Sequence, residues 1–166
     1  MSQMKTVVVA MLLGQLGLLS VVHAQTNPVL GVLQADKPKV LWQAKSITRA
    51  DVSCDGQPDI LVLGREKGAG SDKGKVWLGV VEGRAGNQFG PISSFEFAVK
   101  PDAQDAFCQL PVRIEVVPLI CDNEDGALPG CKPSKTCKSF ALLDDACDSF
   151  NFYWDSEQKK LVYWRR

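Results

Sequence analysis

A small, mostly β domain held by disulfides is the fold that this sequence predicts, and three observations predict it. Its apolar residues fall in short runs of strand length, or alternate with polar residues at a period of two. Stretches rich in glycine, proline and charge separate those runs. Beyond residue 24 no segment carries a helical period, while six cysteines lie between residues 54 and 147.

The first residues read as a secretory signal peptide, expected over 1–24. Lys5 supplies the positive start, Thr6 to Leu19 the apolar stretch, and Val22-His23-Ala24 the cleavage site. The competing reading is an uncleaved anchor, but the apolar run is short for a spanning helix, which needs roughly 20 apolar residues. Cleavage after Ala24 leaves residues 25–166 as a single exported β domain with no membrane span. It also removes His23, the only histidine. A chain without imidazole has no Ser-His or Cys-His catalytic pair and no His-ligated metal.

Residues 25–37 read as an irregular arm bounded by Pro28 and Pro38, and Lys39 to Trp42 as a short strand. Ile60-Leu61-Val62-Leu63 is a continuous apolar run, read as a central strand covered on both faces. Lys75 to Val81 returns as a second strand. The glycine-rich connection Gly64 to Gly74 joins the two as a hairpin; it lacks the ending that a phosphate loop requires. Gly83 to Pro91 is a further turn region. Phe95, Phe97 and Val99, then Val112, Ile114 and Val116, alternate as half-buried strands, with Ser139 to Leu143 a weaker one. Phe150, Phe152 and Trp154 share one face of the next strand, opposite Asn151, Tyr153 and Asp155; a polar turn follows, and Leu161 to Trp164 is the last strand. These aromatics suit a hydrophobic core better than a stacking platform. Seven or eight short strands fit a sandwich, a barrel or a propeller-like fragment.

Cys54, Cys108, Cys121, Cys131, Cys137 and Cys147 form an even set, expected to make three disulfides in an oxidising compartment. Six cysteines allow 15 pairings and the spacing selects none. A four-thiolate zinc site over 121–147 is the alternative, but no Cys-x-x-Cys pair supports it. Charge is nearly balanced, and Lys159, Lys160, Arg165 and Arg166 are scattered, as a solvated rim is rather than a nucleic-acid footprint.

One segment carries metal-type chemistry. Residues 51–59, Asp-Val-Ser-Cys-Asp-Gly-Gln-Pro-Asp, place side-chain oxygens at loop positions 1, 3, 5 and 9. Gly56 permits a sharp turn, and alternate oxygens in a tight loop suit calcium, which takes 6–8 of them. Position 12 is Val62, not the bidentate Glu of an EF-hand. On the residues alone, an Asp-Gly turn before a strand fits equally well. Asp122-Asn123-Glu124-Asp125-Gly126 echoes the pattern but has Pro129 at its ninth position, and reads as an acidic turn.

From about Ile47 to Val81, the D-x-S-x-D-G-x-x-D loop, the apolar strand and the second strand beginning Gly74-Lys75-Val76-Trp77 resemble the calcium loop of FG-GAP or VCBS repeats. The resemblance implies calcium held by Asp51, Ser53, Asp55, the backbone carbonyl of Gln57, and Asp59. Length excludes a complete propeller.

Two functions fit. The first is an exported non-catalytic binding module with a protein or cell-envelope partner, such as a periplasmic inhibitor or a cell-surface interaction protein. The second is a carboxylate-dependent hydrolase with an acid and a base drawn from Glu82, Glu96, Glu115, Asp144, Asp145 and Asp148. No nucleophile motif is present, so no catalytic residue is assigned.

Overall fold

The computed structural model describes residues 27–68, 74–101 and 103–165. The expected signal peptide and residues 69–73 of the glycine-rich connection lie outside them. Over the described residues the chain is a small all-β domain with one short α-helix and three disulfides.

A helix, α1 (Pro28–Asp36), opens the fold, followed by β1 (Val40–Trp42), β2 (Thr48–Ala50), β3 (Asp59–Glu66), β4 (Lys75–Arg84) and β5 (Gln88–Val99). Then come β6 (Ala106–Phe107), β7 (Arg113–Pro118), β8 (Asp122–Asn123), β9 (Gly126–Ala127), β10 (Lys138–Leu143), β11 (Phe150–Asp155) and β12 (Lys160–Trp164). The first sheet has the order β1-β3-β4-β5-β6, with β2 also paired to β3. It curls as a half-barrel. The second sheet has the order β12-β11-β10-β7, and β8 and β9 form a separate two-stranded ribbon.

The arm expected over 25–37 is a correction: residues 28–36 are helical. The Asn27 side chain accepts a hydrogen bond from the Val29 N–H, and Pro28 occupies the first turn, where its missing N–H costs nothing. Val29 and Leu33, four apart and both fully buried, lay this helix on the outer face of the first sheet. There they pack with Ile60, Val62 and Val81. Gly79 permits that approach, because a Cβ on it would stand 2.6 Å from a Leu33 methyl and 2.9 Å from the Trp42 ring.

Period two is obeyed in β3 and β4. Leu61, Leu63, Val76, Leu78 and Val80 point inward to the main core, while Ile60 and Val62 point outward beneath α1. Ile60 to Leu63 are therefore covered on both faces, as a continuous apolar run requires. The main core closes against the second sheet through aromatics. Phe140 stacks on Phe152 at 4.6 Å, and Phe97 meets Phe150 at the same separation.

The reading of β11 needs one amendment. Its second face is also covered, because residues 128–131 fold over it: the Tyr153 hydroxyl donates to the Pro129 carbonyl and the Ser156 hydroxyl to that of Gly130. The second turn region is also narrower than expected. β4 runs to Arg84 and β5 starts at Gln88, so the turn is Ala85–Asn87, with Gly86 and Asn87 at positive φ.

The disulfides pair Cys54 with Cys137, Cys108 with Cys147, and Cys121 with Cys131. The first ties the β2–β3 loop to the lead-in of β10, the second ties the end of β6 to the β10–β11 connection, and the third closes the β8–β9 ribbon at its base. Three such bonds fit an oxidising environment. No helix among the described residues is long and apolar enough to cross a membrane.

Candidate functional site

The 51–59 loop joins β2 to β3, which pair antiparallel beside each other. Its organising group is Asp59, the first residue of β3, whose side chain is fully buried. One carboxylate oxygen, Oδ2, accepts the N–H of Val52 at 2.8 Å and of Ser53 at 2.7 Å. The other, Oδ1, accepts the Ser53 hydroxyl at 3.2 Å and the N–H of Gly83 at 2.9 Å. Gly83 stands where the β4–β5 register shifts, so Asp59 takes up an N–H at an irregularity in the ladder. An ionised carboxylate has about four acceptor positions, and protein donors fill them all.

Asp51 differs. Its Oδ2 accepts the Gly56 N–H at 3.1 Å, but its Oδ1 is buried without a hydrogen-bond partner. Burial pushes the Asp51 carboxyl above the usual carboxylate range; the N–H groups of Gly56 and Asp55 oppose this, and the charges of Asp59 and Asp55 add to it. Asp55 accepts the Gln57 N–H on Oδ1 and faces the Arg84 guanidinium at 3.9 Å on Oδ2. Cys54 and Gly56 sit at positive φ, the glycine at no steric cost. The loop is thus braced by the Cys54–Cys137 bond, by Asp59, and by a hydrogen bond from the Lys138 N–H to the Asp51 carbonyl at 2.8 Å.

The five sequence-predicted ligands share this loop. Asp59 serves as its internal anchor, Ser53 donates to Asp59, Asp55 lies on the rim beside Arg84, and the Gln57 N–H closes a turn on Asp55. Among the described residues, no group of three or more Cys, Asp or Glu side chains is arranged to hold a metal ion. Calcium therefore fits in part. The orphaned Asp51 Oδ1 is suited to a cation, whereas Asp59 is already saturated.

The loop forms one wall of a cleft of about 600 Å³. Asp55 contributes from the loop, Glu82 and Arg84 from the end of β4, Lys132 from the segment after β9, Trp154 from β11, and Lys159 from the turn before β12. Arg84 binds Glu82 at 2.9 Å and so stands against both carboxylates. Burial pushes the Glu82 carboxyl up; Arg84 opposes this, and Asp59 and Asp55 reinforce it. Sequence reasoning named Glu82 only as one hydrolase candidate, read Lys159 as part of a solvated rim, and missed Arg84 and Lys132. The spacing of Glu82 and Arg84 on one strand was the sole signal available, because the cleft gathers residues from five distant segments.

The other hydrolase candidates are dispersed. Glu96 pairs with Lys75, and both Glu115 and Asp145 pair with Arg113. Asp144 is buried and accepts the N–H groups of Cys108, Gln109, Ala146 and Cys147, which fixes the turn at the Cys108–Cys147 bond. Asp148 lies in a separate groove of about 670 Å³ with Asp122, Glu124, Trp164 and the exposed Ile120. No family model, curated protein or solved structure matches this chain.

Proposed function

We propose that the chain is an exported, non-catalytic binding module of the kind that acts as a periplasmic inhibitor or a cell-surface interaction protein. Its contact end is the loop cluster around the 600 Å³ cleft. One observation carries the reading. The 51–59 loop, which walls the cleft, is locked by a disulfide to a distant segment and by four hydrogen bonds to one buried carboxylate. Such pre-organisation lowers the ordering cost of binding, because few rotamers and little backbone freedom are lost on contact. The disulfides support export to an oxidising compartment. Calcium belongs to the proposal as an added brace at Asp51, in keeping with the FG-GAP-like pattern of the loop.

A carboxylate hydrolase is the second reading, and Glu82 favours it. Its carboxyl is shifted toward the protonated form and shares the cleft with Asp55. Against catalysis, Arg84 bonds one oxygen of Glu82 at 2.9 Å and faces Asp55 at 3.9 Å, which favours the ionised form of both over a proton-sharing pair.

The test uses the disulfide-intact chain from residue 25 onward. It is immobilised and exposed to envelope and exported fractions, and in parallel it is assayed for hydrolysis of envelope polymers. The binding reading expects saturable retention of a defined component without turnover. Turnover that Glu82→Gln abolishes would establish the hydrolase instead.

A further inference from the structure

The cleft has a composition more specific than a generic contact surface. Trp154 is half-buried in its wall, and Pro91 and Pro133 add apolar surface beside it. The indole packs in part on the main core, and the surface left uncovered is of the flat, weakly hydrated kind on which the C–H side of a sugar ring lies. Opposite in character is the Asp55–Arg84–Glu82 set, an array of charged donors and acceptors in which the Glu82 side chain is 18% and the Arg84 side chain 48% exposed. Arrays of this kind bond neighbouring hydroxyl groups. The volume of about 600 Å³ lies within the range of small-ligand sites.

The charge balance refines the ligand class. Arg84 is committed to the two carboxylates. Lys132 and Lys159 are exposed at the same cleft, and neither makes an ion pair among the described residues. At the rim of the cleft, two flexible ammonium groups are therefore left without a carboxylate partner. An apolar wall, a hydroxyl-bonding array and two unpaired ammonium groups together match a sugar that bears a carboxylate.

We infer that this cleft is a binding subsite for a carboxylated saccharide: its pyranose ring lies on Trp154, its hydroxyls meet Glu82, Arg84 and Asp55, and its carboxylate is held by Lys132 and Lys159. The inference rests on the binding-module reading and names the ligand class for its contact end.

The probe is trigalacturonate, with maltotriose as the uncharged control. Both are titrated into the disulfide-intact chain and followed by amide NMR shifts and tryptophan fluorescence. Trigalacturonate is expected to shift residues 53–55, 132–134 and 154–159, with affinity falling as salt rises. Maltotriose should bind at least about tenfold more weakly, the difference of about 1.4 kcal/mol contributed by the ammonium contacts. Lys132→Gln/Lys159→Gln should remove that preference, and Trp154→Leu should weaken both sugars. The lysine variant alters exposed side chains only, so an unchanged melting curve certifies its fold. Absence of shifts at millimolar trigalacturonate, equal affinity for the two sugars, or indifference to the lysine substitutions overturns the inference. If the chain still retains an envelope or protein component under those results, the binding-module reading survives and only the saccharide assignment falls.

Discussion

Replacing Asp59 with asparagine alters one atom of the loop's anchor. The carboxylate receives four donors, and an asparagine can place its oxygen toward only one pair of them. The cheaper orientation keeps the Val52 and Ser53 N–H groups and turns the amide nitrogen toward Gly83, while the Ser53 hydroxyl rotates to accept. The Gly83 N–H is then orphaned, at about 1–3 kcal/mol. The two retained bonds fall from charged to neutral strength, roughly 1 kcal/mol each. Removing a buried charge that helps push up the Asp51 carboxyl returns part of this. A net loss of about 2–4 kcal/mol remains, a large share of the roughly 5–15 kcal/mol that holds a domain. Urea unfolding in the presence of chelator reads it directly: with a slope of about 2 kcal/mol/M, the midpoint should fall by about 1–2 M at constant slope. Amide exchange should accelerate first at Val52, Ser53 and Gly83. A midpoint shift under about 0.5 M would refute the assignment of Asp59 as the anchor.

Three further outcomes follow from the same geometry. The Cys54–Cys137 bond spans 83 residues and the Cys121–Cys131 bond 10, so the chain-entropy model assigns the former about 4–5 and the latter about 3 kcal/mol. Thermal melts of the paired serine variants should therefore rank Cys54→Ser/Cys137→Ser as the less stable, and the reverse order would contradict that account. Burial would raise the Asp144 carboxyl, but four backbone N–H groups outweigh it and hold the group below the usual range. Its contribution is then complete above the unfolded value of about 3.9 and is lost as pH falls through the lower folded value. Unfolding followed from pH 5 to 2 should show a shallower acid slope in Asp144→Asn than in the parent, and parallel slopes would exclude this group as a source of acid lability. Calcium at millimolar concentration should raise the melting temperature by a few degrees through mass action on the Asp51 oxygen, an effect absent in Asp51→Asn; identical curves with calcium and with chelator would remove the metal from the proposal.

What the sequence disclosed, and what it withheld, divides along physical lines. Strands were legible wherever burial imposes a period of two or a continuous apolar run. This is why Ile60 to Leu63, Lys75 to Val81 and Phe95 to Val99 lie within β3, β4 and β5. The helix α1 was hidden because two turns with one buried pair, Val29 and Leu33, and an interior Gly31 leave no period to detect. Only the Asn27-Pro28 start signal was readable. The pairing of Cys54 with Cys137 was closed to sequence reasoning, since loop length does not select partners.

The candidate loop shows the same division within nine residues. Its spacing suggested Asp51, Ser53, Asp55 and Asp59 as ligands of one cation, and the fold links Ser53 to Asp59 by hydrogen bonds, with Asp51 within reach of the charges of Asp59 and Asp55. Yet the partner that completes Asp59 is the N–H of Gly83, 24 residues away at an irregularity in another strand, and no local pattern announces it. A carboxylate repeat in sequence specifies that oxygens will converge; whether they converge on a cation or on backbone N–H groups depends on what the fold delivers from elsewhere. Here the fold delivers protein donors to Asp59 and none to Asp51 Oδ1. The loop therefore owes its shape to contacts within the protein, which is the property that the proposed binding role beside the cleft requires.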